Sequence, residues 1–307
     1  MQLAVVILNW NAAADTIRCL HYVAGWERIQ ATVWVVDNGS TDGSAESILR
    51  ACPDAHLIRN SANLGFAGGN NRGIAAALST GDAPILLLNN DAIIEQDDVI
   101  RLLNSLAENP SIGVIGPLLF DSQETDRLLA AGGRDPARHH QSHILRLTPG
   151  DPLQTVECVP GTVVIARSQV LRTVGLLDEA YFFGGEVADL CMRARQYGYL
   201  SAIDARARAF HNLSRSFALR DTLHAYYIIR NRFLLIRKFH RSRKLFFYSV
   251  WTLYSLALSL KVQLSGMLAT AQAIRLGLLD GLRGRFGGQN ERVLSLSAGG
   301  AGKTGAR

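Results

Sequence analysis

Carboxylates, amides and glycines gather at three places in the first hundred residues, each next to a run of strand length. Leu86-Leu87-Leu88-Asn89-Asn90-Asp91 ends an apolar run with polar groups at its open end. A carboxylate there can hold a divalent cation whose shell is completed by phosphate oxygens, because Mg2+ and Mn2+ take hard oxygen ligands and need few of them from protein. A solvated helix cap is the plainer reading of Asp91, and the ligand-type loops nearby argue against it. Asp37-Asn38-Gly39-Ser40-Thr41-Asp42-Gly43-Ser44 puts a carboxylate and an amide at a strand's carboxyl end, then a glycine turn and a helix start. That arrangement suits hydrogen bonds to a base or ribose at a switch point of a parallel sheet. A well-made turn and N-cap accounts for the same residues equally well. Asn60–Gly73 (NSANLGFAGGNNRG) is polar and glycine-rich and leads into a helix, so that backbone can come close to an anion. It contains neither GxxxxGK[ST] nor GxGxxG, and alone it carries little weight.

Farther along, Glu186 and Asp189 stand three apart in a stretch with helical spacing, so they share one face while Val187 points elsewhere. Two carboxylates in a first helical turn also make a plain dipole-stabilised N-terminus, and Arg193 is placed to pair with Asp189. His139, His140 and His143 imitate a metal cluster, but their polar loop setting reads as ordinary solvated histidines.

The elements that must position these groups follow from periodicity. Leu3–Leu8, Val33–Val36 and Ile85–Leu88 are continuous apolar runs, the pattern of parallel strands covered on both faces. Asp15–Trp26, Ser44–Ala51 and Asn70–Ser79 have helical spacing, with Asp15, Asp42 and Asn70 as capping residues. The reading is a doubly wound α/β half with ligands at the carboxyl ends of its strands. Glu95–Asn109 is a further helix, Ile112–Phe120 and Val156–Ala166 further strands, and Asp121–Pro152 a loop or small hairpin. Glu186–Tyr197 reads as an amphipathic helix closed by Gly198.

Charge divides the chain. Residues 1–205 hold 14 Lys+Arg against 23 Asp+Glu, whereas residues 206–307 hold 18 against 3. Such a basic end is built to meet something anionic. Arg230–Lys244 interleaves seven Lys/Arg with apolar residues, and the 16 residues Leu245–Leu260 then carry no charge. A spanning helix needs about 20 apolar residues, so an interfacial helix is expected, with a true span as the alternative. A core helix or dimer face of a soluble protein is the bland reading. Leu264, Met267, Leu268, Ala271, Ile274 and Leu278 form a helical stripe, and the Gly/Ser/Ala-rich residues from Gly287 onward are expected to be disordered. No nucleic-acid motif accompanies the basic residues, so nucleic acid is not expected as a partner. Cys19, Cys52, Cys158 and Cys191 are scattered and read as buried thiols of a reducing compartment. The N-terminus MQLAVVILNWN lacks the basic region and cleavage site of a signal peptide and reads as a first strand, which predicts a cytoplasmic start.

In order along the chain, VVILNWN, VVDNGSTDGS, NLGFAGGNNRGI and LLLNNDAII closely resemble the inverting GT-A glycosyltransferases of glycosyltransferase family two. The likeness continues through CVPGTVVIARSQVLRTVGLLDEAYFFGGEVADLCMRARQYGY and ARAFHNLSRS, covers roughly residues 3–240, and is nearest to the rhamnosyltransferase-like branch. It implies a GT-A fold, with a Rossmann-like, doubly wound, mostly parallel sheet, over 1–212. A helical membrane-associated appendage over 213–286 and a disordered tail over 287–307 would follow. It implies Asp37 as the nucleobase contact, and donor contacts from Asn9, Asn38, Asn63, Gly65, Gly69, Asn70, Arg72 and Asn90. Asn89-Asn90-Asp91 occupies the family's DxD position, with Asp91 as metal ligand and His211 as a second metal or diphosphate contact. The family's acceptor motif Glu-Asp-x-Asp is Glu186-Val187-Ala188-Asp189 here, so the acid often assigned as base is replaced by Val187. Glu186 is then the expected base and Asp189 its supporting or acceptor-binding partner.

The implied chemistry is inverting transfer of a sugar, rhamnose from its deoxythymidine diphosphate in the first instance, aided by Mg2+ or Mn2+. The implied acceptor is a polyprenyl-diphosphate-linked glycan at the cytoplasmic face of the plasma membrane, in cell-surface polysaccharide synthesis. A uridine diphosphate hexose is the alternative donor. Asn89 and Val187 also admit a catalytically weak donor-binding protein. A nicotinamide-dependent oxidoreductase is disfavoured by the missing GxGxxG.

Overall fold

The computed structural model describes residues 1–146, 150–212 and 219–301. The chain divides into two compact units: one comprises residues 1–135, 141–178 and 187–213, the other 136–140, 179–186 and 214–307.

The first unit is built on a ten-stranded sheet. In chain order its strands are β1 (Gln2–Asn9), β2 (Gln30–Asp37), β3 (His56–Arg59), β4 (Ile85–Asn89), β5 (Ala92–Ile94), β6 (Ile112–Asp121), β7 (Leu128–Ala130), β8 (Leu153–Val156), β9 (Val163–Ala166) and β10 (Leu200–His211). The spatial order is β3-β2-β1-β4-β9-β6-β10-β5, with β7 beside β6 and β8 beside β10. β3, β2, β1 and β4 are mutually parallel, and β6 and β10 run the same way. β9 lies antiparallel between β4 and β6. Most of the sheet is therefore parallel, as the continuous apolar runs predict.

β1 shows why. Leu3, Val5 and Ile7 enter one buried cluster and Ala4 and Val6 the other, so both faces are covered. Helices α1 (Ala13–Ala24), α2 (Ser44–Ala51) and α4 (Gln96–Glu108) contribute Cys19, Ile48 and Leu102 to the first cluster. α3 (Gly65–Thr80) and α6 (Glu186–Gln196) contribute Ile74 and Leu190 to the second. α5 (Ser168–Val174) adds Leu171 there.

Several local expectations are corrected. α3 begins at Gly65, so Asn70 is not its cap but lies in its second turn. Two glycines of α3 bring the helix close against the sheet. A Cβ on Gly69 would stand 2.4 Å from Leu8 Cδ1, and one on Gly73 2.5 Å from Val6 Cγ1. Asp15 is likewise inside α1, buried and paired with Arg18, while Ala12 precedes the helix. The run Val156–Ala166 is not one strand: Val156 ends β8, which pairs with β10, and only Val163–Ala166 form β9, which pairs with β4 and β6. Pro160, which has no N–H to donate, falls in the break. Asp121–Pro152 is largely irregular, with the short strand β7 and an antiparallel bridge from Gly133 to His143. Gly198 closes α6 at φ 87°, as expected.

The second unit is helical: α7 (Leu219–Phe239), α8 (Lys244–Leu264), α9 (Leu268–Arg283) and α10 (Asn290–Ala301). Phe182, Tyr226, Tyr227, Ala273 and Val293 form its apolar cluster. The stripe from Leu264 to Leu278 splits at a turn, where Gly266 has φ 81°. Leu264, Met267 and Leu268 are exposed, and Ala271, Ile274 and Leu278 are buried on α9. The segment from Gly287, expected to be disordered, contains α10, whose Val293 is fully buried and whose Arg292 pairs with Asp280 at 2.7 Å. Residues 302–307 of that segment lie outside the described residues.

The basic run 230–244 is not a uniformly solvated cluster. Arg230 and Arg232 are buried. Arg232 lies over the Trp251 ring, 3.6 Å from its centroid, and donates to Pro136 O at 2.7 Å.

Candidate functional site

The open ends of β1, β2 and β4 are joined by a chain of side-chain hydrogen bonds. Asn90 Nδ2, in the turn after β4, donates to Thr16 Oγ1 on α1 at 2.9 Å. Thr16 Oγ1 donates to Asn9 Oδ1 at 2.8 Å. Asn9 Nδ2, at the end of β1, donates to Asp37 Oδ1 at 2.7 Å, and Asp37 Oδ2 accepts from the Ser40 amide at 3.2 Å. Asn9, Thr16 and Asp37 are buried. Buried polar groups of this kind persist only when paired, so each fixes its neighbour. The relay holds the Asp37 carboxylate in one orientation at the edge of the sheet.

Asn38 ties the same edge to the following loop. Its Nδ2 donates to Asn63 Oδ1 and Gly65 O, both at 3.0 Å, and its Oδ1 accepts from Asn60 Nδ2 at 3.0 Å and Leu64 N at 3.1 Å. Gly39 must be glycine, since its φ is 73° and a Cβ would lie 2.6 Å from the Ala62 carbonyl carbon. Of the predicted donor contacts, Asn9, Asp37, Asn38, Asn63, Gly65 and Asn90 therefore belong to one connected network. Gly69 and Asn70 are buried on α3, where Asn70 Nδ2 bonds Phe66 O at 2.9 Å, and both shape the helix from within. Arg72 is exposed on the same helix. Ser40 and Asn60, from the two loops the sequence marks, and Thr16, which nothing in the sequence marks, complete the network. Thr16 lies in an ordinary amphipathic helix, where nothing in the sequence marks a hydroxyl that reaches back to β1.

Asp91 and His211 meet across 120 residues. β10 runs antiparallel to β5 with His211 opposite Ala92, and Asn212 N donates to Asp91 O at 3.0 Å. His211 Nε2 lies 3.1 Å from Asp91 Oδ1, with the two side chains 14% and 10% exposed, so the pair is sheltered but reachable. Asp91 also acts on Cys19, whose thiol is pushed up to about 12, first by burial and then by the Asp91 charge. Among the described residues there is no group of three or more His, Cys, Asp or Glu placed to share a metal. One carboxylate and one imidazole fit a divalent cation that takes its remaining oxygens from a diphosphate, not one enclosed by protein.

Glu186 opens α6, and the boundary between the two units falls just after it. It is 6% exposed. Asp189 is fully buried, and Arg193 Nε donates to its Oδ1 at 2.6 Å. Arg193 also donates to Gly175 O at 3.1 Å and Leu176 O at 2.7 Å. Asp189 is thus enclosed in an ion pair that fastens α6 to the preceding loop, and does not present a surface to an acceptor. Val187 is buried in the apolar cluster, 3.4 Å from where a Gly161 Cβ would be. A carboxylate there would be desolvated.

Within the helical unit, Asn231 and Arg230 hold the segment leading to Glu186. Asn231 Nδ2 lies 3.0, 2.8 and 2.6 Å from the carbonyl oxygens of Tyr181, Phe183 and Gly184. Arg230 donates to Tyr181 O at 2.7 Å and Ala180 O at 3.1 Å. Neither residue stood out in the sequence, where both pass for part of the basic run. Of the loop histidines, His140 bonds the Tyr254 hydroxyl.

A mostly parallel sheet flanked by helices on both faces has the fold of a GT-A glycosyltransferase. The mannosyltransferase PcManGT from Pyrobaculum calidifontis, solved with GDP-Man and Mn2+, covers 97% of this chain, and 79% of that chain is covered, at TM-score 0.58 and 16% identity. GalNAc-T7, solved with UDP, GalNAc and Mn2+, superposes at TM-score 0.61 and 16% identity over 81% of this chain and 50% of its own. Residues 4–160 match the model of Glycosyl transferase family 2, and the chain belongs to that family. Among curated relatives, the dTDP-rhamnosyl transferase RfbF of Shigella flexneri is 26% identical over 92% of this chain and 96% of its own length. The N-acetylglucosaminyl-diphospho-decaprenol L-rhamnosyltransferase of Mycobacterium tuberculosis (strain ATCC 25618 / H37Rv) is 26% identical over 70% and 77%.

Proposed function

We propose that this family 2 glycosyltransferase moves rhamnose from deoxythymidine diphosphate rhamnose to a polyprenyl-diphosphate-linked glycan, with inversion, at the cytoplasmic face of the membrane. The single observation that carries the donor half is the Asp91–His211 pair beside the Asn90–Thr16–Asn9–Asp37 relay. Donor and acceptor chemistry are supported by the names of the two rhamnosyltransferase relatives.

In this reading Asp37 receives the base or ribose on a loop that Asn38, its amide fully bonded within the protein, holds in place, and Asn63, Gly65 and Arg72 flank the diphosphate. Asp91 and His211 would hold a divalent cation, Mg2+ or Mn2+, which stabilises the charge that gathers on the departing diphosphate. Glu186 takes the proton of the acceptor hydroxyl as that oxygen attacks the anomeric carbon. One base and one displacement invert the anomeric centre. Asp189 acts through Arg193, holding the helix that carries Glu186. A second reading, a donor-binding protein of weak activity, is favoured by Val187, which puts an apolar side chain in a buried apolar site where the family has a second acid.

Nucleotide-sugar binding, measured calorimetrically with and without Mg2+ or Mn2+, tests the donor half. Metal-dependent binding of deoxythymidine diphosphate rhamnose that is lost in Asp91→Ala is expected. Preference for a uridine diphosphate hexose would replace the donor. Glu186→Gln should keep donor binding and lose transfer by about 10²–10⁴, the usual contribution of a positioned base. Donor binding by the wild type without any transfer would favour the second reading.

A further inference from the structure

Helix α8 is built inside out for a protein in water. Its fully covered residues are Trp251, Ser255 and Ser259, and both serines satisfy their hydroxyls on main-chain oxygens, Ser255 on Trp251 O at 2.6 Å and Ser259 on Ala271 O at 3.1 Å. Its outward residues include Leu245, Phe246, Leu253, Leu256, Leu260 and Leu264, each between 49% and 82% exposed. At 3.6 residues per turn these six fall within about 100° of the circumference, a continuous apolar face and not scattered surface leucines. The segment Arg241–Leu264 is long and apolar enough to cross a membrane by length and composition, yet one side of α8 is spent on protein.

The charges around that face have one sign. Arg241, Arg243 and Lys261 are exposed and Lys244 opens the helix, while between Arg241 and Asn290 the one carboxylate, Asp280, is fully buried and paired with Arg292. Two copies of this face brought together would oppose like charges. An anionic lipid layer complements both features, because leucines enter the acyl boundary while lysines and arginines meet the headgroups.

We infer that α8 lies in the plane of an anionic lipid surface, immersed by its leucine face and fringed by Arg241, Arg243, Lys244 and Lys261. The inference rests on the membrane reading above and names the surface that serves it.

Flotation of the full chain with vesicles of phosphatidylcholine, with and without phosphatidylglycerol, is the test. Binding to the anionic vesicles is expected to fall about tenfold or more in Leu253→Gln/Leu260→Gln, since apolar area is what inserts. Both substitutions keep good helix formers at exposed positions, so the melting curve should not move. Arg241→Gln/Arg243→Gln, which leaves the leucines intact, should weaken anionic binding and spare the neutral vesicles. The inference is overturned if the wild type does not float, or if it floats equally with both lipids. It is also overturned if binding resists alkaline extraction, or if a lipid-free dimer is abolished by the double leucine variant. Transfer to a short-chain, water-soluble acceptor is followed in parallel. Transfer without flotation rejects the surface alone, and flotation without transfer rejects the proposed reaction alone.

Discussion

Replacing Thr16 by valine removes one hydroxyl and keeps the shape, so it interrogates the relay at its centre. Thr16 Oγ1 donates to Asn9 Oδ1 at 2.8 Å and accepts from Asn90 Nδ2 at 2.9 Å. Asn9 is fully buried, so its oxygen has no access to water when the hydroxyl is gone, whereas Asn90 is only half-buried and can turn to solvent. One orphaned buried acceptor costs about 1–3 kcal/mol. Thr16→Ser keeps the hydroxyl and loses one methyl, about 0.8 kcal/mol, and serves as the control. Urea unfolding should place the valine variant below the serine variant by up to about 2 kcal/mol at unchanged m-value. The loss should also reach the ligand, because Asn9 orients Asp37. Donor affinity should drop by up to about tenfold in the valine variant, equivalent to about 1.4 kcal/mol, and stay near wild type in the serine variant. Equal stability of the two variants would refute the relay. Lower stability with unchanged donor affinity would refute its role in aiming Asp37.

Two further outcomes follow from packing and charge. Gly73→Ala forces a methyl to within 2.5 Å of Val6 Cγ1 and 3.1 Å of Val36 Cγ2, so overpacking of about 1–3 kcal/mol should outweigh alanine's helix advantage of about 1, whereas Gly81→Ala, with open space around it, should be neutral in the same melts. Asp204 is buried, which raises its pKa, but hydrogen bonds from Arg206 and Ser105 outweigh burial and hold it below the ordinary 3.8. The stability it contributes is fully present above 3.8 and is lost as pH falls through the lower folded value, so Asp204→Asn should flatten the acid limb of a stability–pH curve below about pH 4.

Parallel strands were legible because burial on both faces leaves unbroken apolar runs, as in β1 and β4. β10 was not. It alternates Arg206 and Arg208 with small residues and is interrupted by a register shift between Asp204 and Arg208, so its pattern dissolves in sequence although it delivers His211. The site was legible where a motif is local, as at Asp37-Asn38, or where the family likeness links distant residues, as for Asp91 and His211. Thr16 and Asn231 work at separations that no local pattern records. Gly69 and Gly73 of α3 carry a packing constraint that the sequence does not display, since their close neighbours, Leu8 and Val6, come from β1. Composition revealed α8, but which side of it faces outward depends on Ser255 and Ser259 finding carbonyls within the fold.

Asn231 and Arg230 grip residues 180–184 by main-chain oxygens, and such a grip does not read side chains. Ala180, half-buried, can therefore be exchanged while the path of the chain into Glu186 is kept, whereas the Phe183 ring packs beside His224 and Tyr227 on the helical cluster. The tolerance is one-sided. An aspartate at 231 would turn oxygen toward oxygen at three carbonyls, so a change the loop tolerates is not tolerated on the helix that holds it.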